Sequence, residues 1–274
     1  MANDRNRSHW NQSGQTWVAH QRTYDCMLQP IGDLLVECAA LPAGERALDV
    51  GCGYGTTAAA LADLDVTVHG IDISEPMIAA ARQRVPSATF QVADAQTDAL
   101  GGPFDSVISR FGVMFFDDPG PAFTNIARHT VEGGRLTFVC WNDQRRSTAA
   151  WAGGELIRAA LPSPPPPPHP HAPGPFAFAD PDRTQQLLTE AGWTEISIAP
   201  HEMECSIGWP ESNGVEERLA LVLSAEVGQL LRDQIPAEEH PALIEATRRS
   251  LQERVVDGAV RLEASIWLVS ATRR

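Results

Sequence analysis

The sequence predicts an α/β fold: a doubly wound, mostly parallel sheet of seven strands with helical cap insertions. Three observations carry this. Between residues 46 and 141, short apolar runs alternate with stretches of helical spacing, the pattern of parallel strands joined by crossover helices. The first run opens directly into three glycines spaced two apart, Gly51, Gly53 and Gly55, followed by an alanine-rich helical segment. Two further strand-like runs, at 195–207 and 264–272, follow an interruption and bring the count to seven.

In chain order, residues 1–20 are polar but carry Trp10 and Trp17, which predict a leader folding back onto the rest of the protein. Residues 21–41 place Met27, Leu28, Ile31, Leu34, Leu35 and Cys38 at helical spacing and stop at Leu41-Pro42. Strand-like runs fall at Arg46–Gly51, Val66–Asp72, Ala88–Asp94, Phe104–Phe111 and Arg135–Trp141. Helical spacing fills Thr56–Leu64, Pro76–Val85, a short stretch at Thr97–Leu100, and Pro121–His129; Gly133-Gly134 punctuate the entry to the fifth strand. Ser147–Leu161 reads as helix and runs into PSPPPPPHPHAP, whose eight prolines enforce an extended polyproline conformation. Such a tract can be a partner's ligand, but inside one domain it reads as a stiff loop crossing a surface. Asp182–Ala191 is helical and ends at Gly192, and Glu195–Ile207 is strand-like. Glu217–Gln234 and Leu243–Val256 read as helices, and Ala264–Thr272 as the final strand.

The charge balance is 21 basic against 35 acidic residues, a net −14, which disfavours a nucleic-acid partner, since phosphate binding needs clustered Lys and Arg. Cys26, Cys38, Cys52, Cys140 and Cys205 are odd in number and none has CxxC spacing, so neither a disulfide framework nor a metal site is expected. No signal-peptide segment and no run of 18 apolar residues is visible. The expected setting is cytoplasmic, with no membrane association, as a monomer or a homodimer.

The glycine loop rules out two nucleotide classes in detail. A dinucleotide fingerprint would place its third glycine at Thr56, and a triphosphate-binding loop needs a Lys that this segment lacks. Asp49, two residues before the first glycine, would repel a pyrophosphate but suits a cationic head. Asp72 closes the next strand, where an acidic side chain chelates ribose hydroxyls in doubly wound folds. Asp94 closes the third, followed by Ala95 and Gln96, within reach of an adenine amine. Any one of these aspartates alone could be a helix N-cap. Three at consecutive strand ends, beside GxGxG, point to a ligand with a ribose, an adenine-like base and a positive charge but no phosphate chain. S-adenosyl-L-methionine (SAM) fits that description, with S-adenosyl-L-homocysteine (SAH) as the product of methyl transfer.

At these residues the sequence resembles the class I SAM-dependent methyltransferases, Rossmann-like enzymes, and within them the small-molecule group that includes the ubiquinone and menaquinone biosynthesis enzymes (methyltransferase type 11). The resemblance rests on LDVGCGYG, VHGIDISEPMIAAAR, VADAQ and the segment from FDSVISRFGVMFF to LTFVCW, about residues 45–141, and extends through GPFAFADPDRTQQLLTEAGW to about 193. It implies that Asp49 and the backbone of Gly51, Cys52, Gly53 and Gly55 face the methionine part of the cofactor. It implies further that Asp72 binds the ribose, Ile73 and Met77 pack near the adenine, and Asp94 and Ala95 sit at the adenine amine. The main chain of Arg110, with Phe111 and Gly112, would line the methyl-transfer centre. The turn before the fifth strand reads VEGG where the family more often has PGG, which keeps the glycines a turn needs.

Methyl transfer from a sulfonium is an in-line displacement whose demands are proximity, alignment and desolvation. A general base is needed only where the nucleophile must lose a proton. Base candidates are His9, His20, His169 and His171. Aromatic and apolar candidates for a flat acceptor are Trp10, Trp17, Phe111, Met114, Phe115, Phe116, Trp141 and Phe176, with about half of FGVMFF expected in the core. The expected organisation is an N-terminal helical lid (1–44), a SAM-binding core (45–207) with a proline-rich insertion (142–177), a helical cap (208–262) and a final core strand (263–274). The expected activity is methylation of a small organic acceptor, with N, O or C nucleophile open. A macromolecular methyltransferase and a SAM-binding protein without transfer remain as alternatives. The first lacks the NPPY-type motif and the second must explain an intact loop.

Overall fold

The computed structural model describes residues 4–169 and 171–274. Residues 1–3 of the leader and Pro170 of the proline tract lie outside the described residues. Two helices come first, α1 (Asp4–Ala19) and α2 (Gln21–Ala39). The alternating half follows: β1 (Arg46–Val50), α3 (Thr56–Ala62), β2 (Thr67–Asp72), α4 (Glu75–Arg84), β3 (Thr89–Val92), β4 (Phe104–Arg110), α5 (Pro119–Arg128) and β5 (Thr130–Trp141). Short helices α6 (Thr148–Trp151) and α7 (Glu155–Ala160) lead into the proline tract. Then come α8 (Pro181–Glu190), β6 (Trp193–Ile207), α9 (Val215–Ser224), α10 (Glu226–Gln234), α11 (His240–Gln252), β7 (Val255–Val256) and β8 (Ala259–Arg273).

The sheet order is β3-β2-β1-β4-β5-β8-β6, with β7 pairing β8 off that path. The seven-strand path matches the sequence expectation; the two-residue β7 makes the count eight. Strands β1 to β5 are parallel, and β8 runs antiparallel to both β5 and β6. Strand order reverses at β1 and β4, which puts the ligand crevice outside their carboxyl ends. Trp141 pairs with Ile266, so the later half of β6 and the start of β8 project past the carboxyl edge as a ribbon.

The core follows from the strand periods. Leu48, Ile71, Ile108 and Phe138 are fully buried, and α2 lays Ile31 and Leu35 against the sheet. Each such side chain contributes about 1.5–3 kcal/mol of burial, which offsets the loss of an intrahelical bond at Pro30 inside α2. Ile157, Val222, Val227 and Leu231 form a second, smaller cluster that joins α7 to α9 and α10.

Several sequence expectations change at the boundaries. Ser147–Leu161 is two short helices broken at Gly153, whose φ of +91° is left-handed. Residues 217–234 divide into α9 and α10 at Ala225, which is extended. Helix α11 stops at Gln252, and Val255–Val256 turn back as a strand. Thr97–Leu100 is no helix: Asp94 O accepts from Thr97 N and Asp98 N, a single turn that does not propagate. The described prolines of the tract are exposed and without regular structure, as a surface loop requires. Among the described residues no helix is long and apolar enough to cross a membrane.

Candidate functional site

The floor of the site is a backbone-to-backbone contact. Val50 ends β1, and Gly51 turns with φ +66° so that it meets Gly112, just past β4. A Cβ on Gly51 would lie 2.6 Å from Gly112 Cα, and one on Gly112 would lie 2.5 Å from Val50 O. Only two glycines let these loops approach so closely. The next residue is tied down as well, Cys52 N donating to Ile71 O at 3.0 Å. Burial pushes the Cys52 thiol well above its ordinary range, with Asp49 and Asp72 adding to the shift, so it is a packing group rather than a nucleophile.

Three acidic side chains surround this floor. Asp49 is buried, and neither carboxylate oxygen has a hydrogen-bond partner among the described residues. Burial raises its pKa to about 7; Arg110 opposes that shift, Asp72 adds to it, and the Ala58 backbone N–H, though short of hydrogen-bond geometry, also opposes it. Asp72 ends β2 and accepts from Gly53 N and Ser74 N, both at 2.9 Å. Burial lifts it to about 6 against the pull of those N–H groups. Asp94 follows β3 and closes a turn by accepting from Gln96 N at 2.9 Å.

The roof is α1. Ser74 Oγ donates to Trp10 O and Glu75 N donates to Asn11 Oδ1, each at 2.9 Å, which clips α1 to the start of α4. Asn6 Nδ2 donates to Phe115 O at 2.9 Å, and the Trp10 ring meets Phe115 edge-on with centroids 4.7 Å apart. Trp17 stacks flat on Tyr24 at 3.8 Å. A second clip sits at Asp25 of α2, which accepts from Tyr54 Oη at 3.1 Å and from Thr56 Oγ1 and Arg84 Nη1 at 2.7 Å. The glycine loop is thereby held between the sheet and the N-terminal helices. The cleft between roof and floor, with its open mouth, holds about 1010 Å³.

Of the residues expected at the cofactor, Gly51, Cys52, Gly53, Asp72, Ile73, Met77, Asp94, Ala95, Arg110, Phe111 and Gly112 line this one cleft. Asp49 lies buried beside Val50 and Gly51. Gly55 caps α3 and faces Ala81 instead, and Gln96 Oε1 is taken by Asp118 N at 2.6 Å. Among the acceptor candidates, Trp10, Trp17, Phe111, Phe115 and Phe116 reach the cleft. Met114 is in the core, Phe176 packs against the core from outside the cleft, and Trp141 is buried under Phe111 with ring centroids 4.5 Å apart. None of His9, His20, His169 and His171 lines it. His9 is exposed, 3.4 Å from Ser13 Oγ, and His169 and His171 sit exposed beside one another. Asn6, Leu28, Tyr54 and Thr57 line the cleft without having been expected there. Leu28 belonged to a visible apolar face, but nothing in its spacing says that the face ends at a ligand.

The site can hold a nucleoside with a cationic tail. Asp72 lines the cleft with one backbone hydrogen bond on each oxygen, which leaves it acceptor capacity for a pair of hydroxyls, the unpartnered Asp49 carboxyl suits a cation, and the bare glycine backbone leaves room above the floor.

Comparison with known proteins agrees. Residues 48–138 match a family described as a methyltransferase domain. Aklanonic acid methyltransferase DauC of Streptomyces sp. (strain C5) is 32% identical over 145 residues, 48% of this chain and 66% of that protein. A demethylmenaquinone methyltransferase of Renibacterium salmoninarum is 27% identical over 172 residues, 60% of this chain and 73% of that one. The solved structure of the YcgJ protein of Bacillus subtilis superposes with a TM-score of 0.55 at 16% identity, covering 90% of this chain and 99% of that chain, which shows the shared fold. The chain thus spans about two thirds of the length of the first of these relatives.

Proposed function

We propose that this chain, whose residues 48–138 form a SAM-dependent methyltransferase domain, methylates a small, flat, apolar or aromatic organic acceptor in the cytoplasm. The observation that carries the reading is the cleft itself. Two acidic residues at strand ends, Asp72 and Asp94, and a glycine floor with Asp49 buried beside it meet a roof of Trp10, Trp17 and Phe115 in one enclosure.

When bound, SAM supplies a methyl group on a sulfonium, already activated for in-line displacement. The residues of this chain bind and exclude water. Asp72 receives the ribose hydroxyls with a carboxylate already oriented by Gly53 N and Ser74 N. Ile73, Met77 and Ala95 provide the apolar slot for the base. Asp49 supports positive charge at the glycine loop. Helix α1 closes the roof, and the Phe111 ring, backed by Trp141, gives the acceptor a flat wall. Alignment and desolvation of this kind contribute most of what the reaction requires.

The test uses methyl-labelled SAM with the purified protein and a cytoplasmic extract, split into solvent-soluble and precipitable fractions. Label in the soluble fraction is expected. Label confined to the precipitate would transfer the proposal to a macromolecular acceptor, and tight SAH binding without label in an extract of the native host would leave a binding protein.

A further inference from the structure

We propose that Arg110 is the carboxylate-reading residue of the cleft, its guanidinium standing beside Asp49 to receive the carboxylate of an α-amino-acid head. The inference rests on the methyltransferase reading and deepens it, because the resemblance to that family implicated only the main chain of Arg110.

Arg110 is the last residue of β4 and lines the cleft, half-buried. Its side chain makes no hydrogen bond or ion pair with a described residue, whereas the nearby Arg84 is paired with Asp25. A guanidinium offers five donors in a planar fork, and at the wall of this cleft they are open to a ligand. Its electrostatic partners are Asp49 and Tyr54, both at the glycine loop. Asp49 also keeps both oxygens unpartnered. Arg110 and Asp49 thus act on each other without a hydrogen bond or ion pair between them. An α-amino-acid head, with ammonium and carboxylate on one carbon, satisfies both at once, and a planar carboxylate matches the guanidinium fork.

Helix α2 is cut to fit this side chain. Gly32 sits in its interior, where glycine costs about 1 kcal/mol against alanine. A Cβ there would lie 3.3 Å from Arg110 Nη1 and 3.9 Å from its Cδ, so the guanidinium would have to give by a few tenths of an ångström. The helix accepts a weaker residue at the one place where Arg110 passes.

A carboxylate at this point has two sources, the amino-acid end of the cofactor or an acidic acceptor lying on Phe111. Calorimetry on the wild type, Arg110→Met and Arg110→Lys separates them. The titrants are SAH and 5′-methylthioadenosine, which has the same nucleoside and thioether without the amino-acid head. With Arg110→Met, SAH affinity is expected to fall at least tenfold while 5′-methylthioadenosine stays within twofold, and Arg110→Lys should recover part of the loss. If SAH is unaffected but the SAH-saturated variant loses affinity for benzoate and not for benzamide, the carboxylate read by Arg110 is the acceptor's. No change for SAH and benzoate overturns the inference, and so does an equal loss of SAH and 5′-methylthioadenosine. A wild type that binds neither nucleoside would instead sink the methyltransferase reading, and this inference with it.

Discussion

Replacing Asp49 with asparagine tests whether a buried charge is kept for the ligand at the expense of the fold. In the folded protein Asp49 holds its proton up to about pH 7; in the unfolded chain it releases it near pH 4. Between those values the native state binds the extra proton, so stability falls as pH rises through the window and then levels off. Three pKa units amount to about 4 kcal/mol as a ceiling. Relaxation of the site and its effective dielectric reduce this to a working figure of about 2 kcal/mol. For a chain of this size that is a rise in Tm of about 5 °C for Asp49→Asn in the empty protein at pH 8. Asp72, raised to about 6, titrates in an overlapping range, so Asp49→Asn should flatten the slope only in part, most near pH 7 where Asp72 has largely lost its proton. At the same time SAH affinity should fall about 10- to 100-fold, the loss expected for a charge-assisted contact. Circular-dichroism melts from pH 5 to 9, with calorimetry on the same samples, give both numbers. A variant that melts lower than the wild type at pH 8, or that binds SAH equally well, would refute the reasoning.

Gly51→Ala must adopt a φ of +66° and drive its Cβ into Gly112, so SAH binding is expected to vanish with a Tm drop of several degrees; a soluble variant of normal affinity would contradict the backbone contact. Trp141→Ala removes a buried ring from beneath Phe111 and should cost about 3–5 kcal/mol in urea unfolding, a core effect to be separated from any loss of acceptor binding. Asp25→Ala unclips Tyr54, Thr56 and Arg84 and should cost about 1 kcal/mol while speeding SAH release in stopped-flow measurements. Variants His9→Ala, His169→Ala and His171→Ala should bind SAH as the wild type does, since all three side chains lie outside the cleft; one that lost turnover with SAH binding intact would bring that histidine back as the base.

The cofactor half of the cleft was legible in the sequence because its residues lie at places a parallel sheet dictates. Short apolar runs locate strands, all parallel strands end at one edge, and Asp49, Asp72 and Asp94 each stand within two residues of such an end. The strand count came close for the same reason, missing only β7, whose two residues carry no periodic signal. Helix breaks were less legible. Gly153 and Ala225 interrupt segments whose apolar spacing continues across them: Ala149 and Ala152 before Gly153 pack into the main core while Ile157 after it joins the small second cluster, and both sides of Ala225 pack into that cluster.

What the sequence by itself determined is the sheet, its glycine turn and the acidic edge, since these depend on local conformation and on the alternation of faces along a strand. Only the tertiary structure decided which side chains enter the cleft. Trp141 went under Phe111 rather than into the opening, and the histidines stayed on the surface. Asn6 and Leu28 came in from the N-terminal helices. It also decided that Arg110 would pass by Gly32 and act on Asp49 without pairing with a described residue. The physical reason is direction: spacing tells which face of an element a residue occupies, but what that face meets depends on segments distant in the chain packing together.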